Sequence, residues 1–302
     1  MLRHVTTGVD SSTESLAAAH WAAREALRRG ASLRLVHAWK RHPRPASSVP
    51  ADAREREWAR QTLDRAVGSV RAAHPGLRIV DQPVADSAVD ALLAAAEKSE
   101  LLVLGSRGLS GVAGFMVGSV SQRVVARSPR PVVLVRAGET FADEHLPATD
   151  GVSPEEIAEI PYRDVVLGLD TRRPCDELIE FAFEAARRYG AALHVIHAFS
   201  VPSGDGADLH AITGSGPELL AARERVVVAT LRPWCEKYPG ISVTETVQEG
   251  RAATALVRAS SGASLVVVGR RTRDGHLGTH IGPVTHAALH HAGCPVAVVP
   301  HA

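Results

Sequence analysis

Short apolar runs alternate with longer amphipathic stretches along the first half of the chain. The runs are four to eight residues long, and the last two are apolar throughout. Continuous apolar character is typical of strands that are covered on both faces of a parallel sheet. The pattern predicts five strands, at residues 3–9, Leu33–Ala38, Leu77–Val84, Leu101–Leu104 and Val132–Val135.

The stretches between these strands carry helix signals. Ser11 or Ser12 is a candidate N-cap for a helix that runs to Arg29, with Gly30 at the C′ position. Residues 52–73 place four apolar side chains on one helical face, and a capping-box pattern opens a third helix. Alternating strands and helices predict an α/β fold with a parallel sheet and right-handed crossovers. The four side chains are Trp58, Leu63, Ala66 and Val70, and the capping pair is Ser87 with Asp90.

The same pattern occurs twice. Gly8-Val9-Asp10 returns 160 residues later as Gly168-Leu169-Asp170, and the glycines at 105 and 118 return 164 residues later. A repeat of this length predicts two tandem doubly wound parallel-sheet domains of one fold. Between them, a stretch rich in Glu, Asp, Pro and Thr is typical of a linker. The predicted units are a first domain at 1–137, a linker at 138–161 and a second domain at 162–302.

Composition agrees with this organisation. A chain of 302 residues is long enough for about two domains. Its 34 basic and 33 acidic residues nearly cancel, so no electrostatic attraction to nucleic acid or to a membrane is expected. Three widely spaced cysteines and the absence of an apolar signal segment predict a soluble, cytoplasmic protein with reduced thiols.

A glycine-rich stretch follows the fourth predicted strand. Residues 105–120 read GSRGLSGVAGFMVGSV, with five glycines. Ligands of parallel sheets bind beyond the carboxyl ends of the strands, and glycine can take positive φ or allow a close backbone approach. Gly118-Ser119 then opens a helix whose free N–H groups favour phosphate. The stretch predicts a polyphosphate site; the competing interpretation is a flexible surface loop.

The spacing in this stretch carries a family resemblance. Gly105-x-x-Gly108, nine residues and Gly118-Ser119 resemble the nucleotide signature of the universal stress proteins. The start Gly8–Ser12, the strand end Val36–Ala38 and the closing segment Ser128–Val135 match as well. The resemblance occurs in both copies and so covers nearly the whole chain. It implies a member of the family's tandem-domain, ATP-binding type.

The resemblance implies a role for each matching position of the first copy. Asp10 would contact the ribose or adenine, and Ala38 would present its backbone to the adenine. Glycines and serines of the signature would hold the ribose and phosphates. Two alternatives stay open, since Asp10 could be a helix N-cap and Arg107 a solvated loop residue. The implied residues are Gly8, Asp10, Ala38, Gly105, Ser106, Arg107, Gly108, Gly118, Ser119, Val120 and Ser121.

The second copy departs from the signature. Thr272 stands where the first copy has Gly108, and Pro283 replaces Ser119, which removes one hydroxyl and one N–H donor. We therefore expect weaker nucleotide binding there. Arginines at 270, 271 and 273 either offset the loss by charge or are ordinary surface residues. The positions implied for this copy are Asp170, Ala198, Gly269, Arg270 and Gly282.

Other candidate chemistry is weaker. His286 and His290 are spaced to hold a metal, but the first copy has no counterpart and no third ligand is evident, so no metal site is predicted. His37 and His197 recur at strand ends, where packing or hydrogen bonding is expected. No catalytic residue is predicted, because no general base is evident beside the phosphate loop.

Three functions remain compatible with the sequence. The first is a stress-response sensor or regulator that binds ATP, with or without Mg²⁺, and needs no turnover. The second is a slow ATP hydrolase or an autophosphorylating enzyme in which Ser119 or a neighbour accepts phosphate. The third is a nucleotide-free interaction module. The resemblance also implies a homodimer formed through sheet-edge pairing.

Overall fold

The chain folds into two compact units. The computed structural model describes residues 3–39, 51–106, 117–138, 140–147, 156–200, 216–272 and 281–302. The first unit comprises Met1–Phe141, Arg270–Ile281 and Pro295–Pro300, and the second comprises Ala142–Gly269, Gly282–Cys294 and His301–Ala302.

The first unit alternates strands and helices as the apolar pattern predicts. Its sheet has the order β3-β2-β1-β4-β5-β10, in which the first five strands are parallel. The strands are β1 (His4–Gly8), β2 (Ser32–Trp39), β3 (Ile79–Ala85), β4 (Leu101–Ser106), β5 (Val132–Arg136) and β10 (Val296–His301), and the helices are α1 (Thr13–Arg28), α2 (Ala51–Ala73), α3 (Ala88–Glu97) and α4 (Ser119–Arg127).

The strand order reverses between β1 and β4. From β1 the chain moves outward through β2 to β3, and it then returns to β4 and β5 on the other side of β1. Right-handed crossovers place α1 and α2 on one face and α3 and α4 on the other, in agreement with the contacts α1 makes with α2 and α3 with α4. The reversal leaves a crevice at the carboxyl ends of β1 and β4.

Local signals fix the first helix. Ser12 is the N-cap and its hydroxyl accepts a hydrogen bond from the Ser15 N–H at 3.1 Å. Gly30 has φ of +59°, which is the left-handed conformation expected at C′. In α2 the predicted apolar face is buried at Leu63 but not at Trp58, which is 49% exposed. Trp58 packs edge-on against the His37 ring instead.

The second unit repeats the arrangement. Its four strands are parallel in the order β9-β6-β7-β8. The strands are β6 (Asp164–Gly168), β7 (Leu193–Phe199), β8 (Val243–Glu249) and β9 (Ala263–Arg271), and the helices are α5 (Asp176–Tyr189), α6 (Gly216–Lys237), α7 (Ala252–Ser260) and α8 (Pro283–His291). The α/β fold class and the tandem repeat are confirmed.

The last strand lies where the repeat does not predict it. β10 pairs antiparallel with β5 of the first copy, with Val296 opposite Leu134. That pairing assigns Pro295–Pro300 to the first unit, whereas the repeat alone places the strand in the second domain. The outer edge of β5 is therefore occupied by the chain itself. None of the described helices is long and apolar enough to span a membrane.

Candidate nucleotide site

A cavity of about 530 Å³ lies at the reversal of strand order in the first unit. Sites for small molecules and cofactors are commonly of this size. Eight of the residues implied by the signature line it together. They are Gly8, Asp10, Ala38, Gly105, Gly118, Ser119, Val120 and Ser121.

One wall of the cavity is apolar. Val36 and Ala38 come from the end of β2, and Leu92 comes from α3. Gly8 keeps this wall close, because a Cβ at that position would lie 2.9 Å from Cδ2 of Leu92. These side chains give one side of the cavity an apolar surface.

Gly105 is required for packing rather than for an unusual φ. Its φ is not positive, so of the two properties of glycine considered above it is the close backbone approach that operates at this position. A Cβ here would lie 2.6 Å from the carbonyl carbon and oxygen of Glu14 and 2.9 Å from the Ser15 nitrogen. The glycine thus lets the first turn of α1 approach the end of β4, which brings Glu14 and Ser15 to the cavity.

The start of α4 forms the opposite wall. Gly118 is its N-cap, no side chain caps the helix, and no acidic residue stands in its first turn. The N–H groups of this turn and the positive end of the helix dipole would therefore favour an anion at this end of the helix. Ser119 is exposed, whereas the Ser121 hydroxyl donates to the Gly105 carbonyl at 3.2 Å and holds α4 to β4.

Asp10 follows β1 and is exposed to the cavity. Its Oδ1 accepts hydrogen bonds from the backbone N–H and the hydroxyl of Ser12. Because Ser12 caps α1, the N-cap alternative for Asp10 is wrong. Ser11 between them has φ of +70°, and its hydroxyl bonds to Thr62 at 2.9 Å. The turn keeps the Asp10 carboxylate at the cavity, and Ser11 adopts a strained left-handed conformation to form it.

His37 confirms the expectation of a hydrogen-bonding role. Nδ1 lies 2.6 Å from the Val9 carbonyl oxygen, so Nδ1–H is the donor. The ring is 3% exposed, and its Nε2 has no hydrogen-bond partner among the described residues. The histidine joins the ends of β1 and β2 and thereby shapes the cavity floor.

Three signature positions are not among the described residues that line the cavity. Ser106 is buried and its hydroxyl donates to the Val135 carbonyl at 3.2 Å, on the β5 side of the strand. Arg107 and Gly108 lie outside the described residues. Glu14 lines the cavity although the sequence pattern does not single it out. Its place in the first helical turn after β1 is the signal that could have found it.

In the second copy, the counterpart of Asp10 is already engaged. The guanidinium of Arg172 donates to both carboxylate oxygens of Asp170, at 3.0 and 3.1 Å. Burial alone would raise the pKa of Asp170, but the hydrogen bonds and charge of Arg172 outweigh it and lower the pKa. The first copy has Ser12 at the position of Arg172.

The other second-copy positions also differ from the first copy. Arg270 is 3% exposed, and its guanidinium donates to the Ser128 carbonyl, so the interpretation as a surface arginine is wrong. Burial lowers its pKa. A Cβ on Gly269 would lie 2.7 Å from Nε2 of His301. Gly282 caps α8 with Pro283 at its first turn, as the sequence predicts, and Ala198 is half-buried near the end of β7.

The histidines of α8 lie close together. The ring centroids of His286 and His290 are 4.3 Å apart. Burial and the neighbouring imidazoles lower the pKa of His286. Within the described ranges, no group of three or more His, Cys, Asp or Glu residues is arranged to hold a metal ion.

The fold is that of a tandem α/β protein, and its first unit has a cavity at the reversal of strand order. The family model described as the Universal stress protein family matches residues 1–136 and 161–300. The chain therefore belongs to the universal stress protein family.

Similar proteins cover nearly the whole chain. The Universal stress protein Rv2005c of Mycobacterium tuberculosis is 31% identical, with 97% of this chain and 96% of the relative covered. The Universal stress protein Rv2623 of the same organism is 30% identical, with 97% and 95% covered. A universal stress protein structure from Archaeoglobus fulgidus matches with a TM-score of 0.68 at 19% identity, and 99% of this chain and 98% of that chain are covered.

Proposed function

We propose that the first-unit cavity binds an adenine nucleotide, with ATP as the ligand, and that the chain acts as a stress-response sensor or regulator. One observation carries this proposal. The cavity of about 530 Å³ joins an apolar wall at the end of β2 to the uncapped start of α4. A nucleotide has the matching two ends, an apolar base and an anionic phosphate.

Each part of the ligand then has a partner. The base packs against Val36 and Leu92, with the Ala38 backbone at its edge. Asp10 accepts hydrogen bonds from ribose hydroxyls, since a carboxylate is an acceptor with several lone pairs. The first-turn N–H groups of α4 and the Ser119 hydroxyl donate to phosphate oxygens.

The residues present fit a nucleotide-borne Mg²⁺. Carboxylate oxygens are the ligands that Mg²⁺ prefers, and Asp10 and Glu14 both line the cavity. When bound, the ion neutralises part of the phosphate charge. It keeps several waters and is commonly held by one or two carboxylates together with phosphates, so no complete protein site is required.

Binding without turnover is part of the proposal. Oδ1 of Asp10 already accepts two hydrogen bonds from Ser12, and Glu14 accepts one from the Thr13 hydroxyl. The His37 ring uses Nδ1–H on the Val9 carbonyl. These engagements support a binding role over that of a free general base.

Autophosphorylation is the second candidate, and one observation favours it. Ser119 is exposed at the cavity wall, where a phosphoryl group could reach its hydroxyl. Incubation with labelled ATP separates the candidates. Intact ATP recovered with the protein supports binding alone. Continuous phosphate release, or a phosphorylated chain that Ser119→Ala abolishes, assigns the protein to the enzymes.

A further inference from the structure

The helix whose start borders the cavity is short. α4 has nine residues and is therefore only about 13 Å long, and a helix of this length is not stable by itself. Its buried side chains are those of Ser121, Val124 and Val125. At its start, the Ser121 hydroxyl donates to the Gly105 carbonyl of β4. Because so few side chains anchor α4, its position depends on how its two ends are held.

The end of α4 is held by an arginine of the second copy. Arg270 lies in β9 and belongs to the first unit by its packing. Its guanidinium donates to the carbonyl of Ser128, the residue that ends the helix. Carbonyl groups at this end have no partner within the helix, and the negative end of the helix dipole favours a cation. The bond therefore satisfies the helix and gives a negative partner to a guanidinium that is 3% exposed.

The repeat shows what this bond replaces. In the second copy, the N–H of Gly293 after α8 donates to the Ser260 hydroxyl of α7 at 2.7 Å. The residues 164 positions earlier are Pro129 and Ala96, which have neither that N–H nor that hydroxyl. The first copy cannot tie α4 to α3 in this way, and the bond from Arg270 holds the end of α4 instead.

We propose that Arg270 is a positioning residue for the first-unit nucleotide site. By holding the end of α4, it fixes the N–H groups at the start of the same helix against the phosphates. The inference rests on the proposed nucleotide binding and goes beyond it, because it gives a signature residue of the second copy a role in the first site. Arg270 is not among the described residues that line the cavity, so it acts through α4.

Calorimetry with ATP and Mg²⁺ on the full chain tests this role in two variants. Arg270→Met keeps an unbranched apolar side chain but has no donor, whereas Arg270→Lys keeps a cation that can donate to the Ser128 carbonyl. Charge-assisted hydrogen bonds are among the stronger ones, and part of this stabilisation reaches the start of α4. Arg270→Met should weaken ATP binding about five-fold or more, and Arg270→Lys should stay within about two-fold of the wild type.

Arg163 provides the matched control. It belongs to the second unit, and its guanidinium donates to the carbonyls of His145 and Ser261, at 2.6 and 3.2 Å. Arg163→Met therefore removes the same kind of bond and should lower the melting temperature, but it should leave the ATP affinity within about two-fold of the wild type. If Arg163→Met weakens ATP binding as much as Arg270→Met does, the effect is a general loss of stability and the positioning role is overturned.

Amide hydrogen exchange in the wild type gives a second measurement that requires no variant. Coupling between two sites is reciprocal, so a bond at the end of α4 that favours ATP must itself be favoured by ATP. The Ser128 N–H donates to the Val124 carbonyl in the last turn of the helix, at 2.8 Å. Saturation with ATP should slow its exchange. An unchanged rate overturns the proposal, also where Arg270→Met does not fold.

Failure of this inference differs from failure of the proposed function. If the wild type binds no ATP, or if Gly118→Glu leaves binding unchanged, the proposed site itself is wrong. If Gly118→Glu weakens binding but a folded Arg270→Met protein binds ATP as tightly as the wild type, the site stands and the positioning role is overturned. Weakening in Arg270→Met that Arg270→Lys does not restore also overturns it.

Discussion

Alanine at position 105 is expected to destabilise the first unit, because there is no room for its Cβ. The Cβ would lie 2.6 Å from the carbonyl carbon and oxygen of Glu14 and 2.9 Å from the Ser15 nitrogen. These are backbone atoms of α1, so relief requires the first turn of the helix to move. Overpacking costs about 1–3 kcal/mol, and an immovable backbone neighbour places Gly105→Ala at about 2–3 kcal/mol.

Two glycines serve as matched controls. A Cβ on Gly269 would meet the His301 imidazole at 2.7 Å, and this side chain can rotate away near the end of the chain, so Gly269→Ala should cost less than about 1 kcal/mol. Gly118 has nothing within 4 Å of such a Cβ, so Gly118→Ala should cost no more than about 1 kcal/mol, the amount expected when alanine replaces a glycine N-cap.

Thermal unfolding of the full chain measures the differences. A loss of about 2–3 kcal/mol corresponds to roughly 4–12 °C for a unit of this size. Nucleotide affinity of Gly105→Ala should also fall, since the moving turn carries Glu14 and Ser15 into the cavity wall. Wild-type unfolding of Gly105→Ala, or a larger loss in Gly269→Ala, would refute the packing argument.

Three further results are expected. Ser11→Gly should be more stable than Ser11→Ala by about 1 kcal/mol in denaturant unfolding, because both lose the hydroxyl but alanine keeps the strained φ of +70°; equal stabilities would contradict this. Calorimetry with ATP should give one tight site per chain, because Asp170 of the second copy is already engaged by Arg172, and Gly282→Glu should leave this binding unchanged. Two sites of equal affinity would contradict the expected difference between the two copies. Burial would raise the pKa of Glu184, but its partners, first the Tyr238 hydroxyl, lower it. Its stabilisation is therefore present above the unfolded pKa of about 4.3 and is lost as pH falls through the folded value, so the melting difference between Glu184→Gln and the wild type should shrink in acid; a constant difference from about pH 7 to 3 would count against it.

Much of the fold follows from local patterns. The buried strands, the Ser12 cap and the helix opened by Gly118 occur where apolar runs and capping residues predict them. The pattern succeeds because each of these features depends on neighbours in sequence. The repeat then extends the prediction to the second unit.

Features that depend on distant neighbours do not follow from such patterns. The pairing of β10 with β5 joins strands that the repeat assigns to different copies. Arg270 is buried, and its guanidinium donates to the carbonyl of Ser128 at the C-terminal end of α4. The composition of the chain gives no sign of this hydrogen bond. Glu14 reaches the cavity only because Gly105 lets α1 approach β4. Such contacts arise from tertiary packing, which periodicity does not encode.

The central claim is that the first-unit cavity binds ATP with its phosphates at the start of α4. The most direct test measures ATP affinity in the presence of Mg²⁺ for Gly118→Glu, Gly118→Ala and the wild type. A side chain at 118 has open space, so both variants should keep the native circular dichroism spectrum. A carboxylate at the start of α4 opposes the phosphates, and the account predicts a loss of at least about 2 kcal/mol of binding free energy in Gly118→Glu. An unchanged affinity in a folded Gly118→Glu protein would contradict the account.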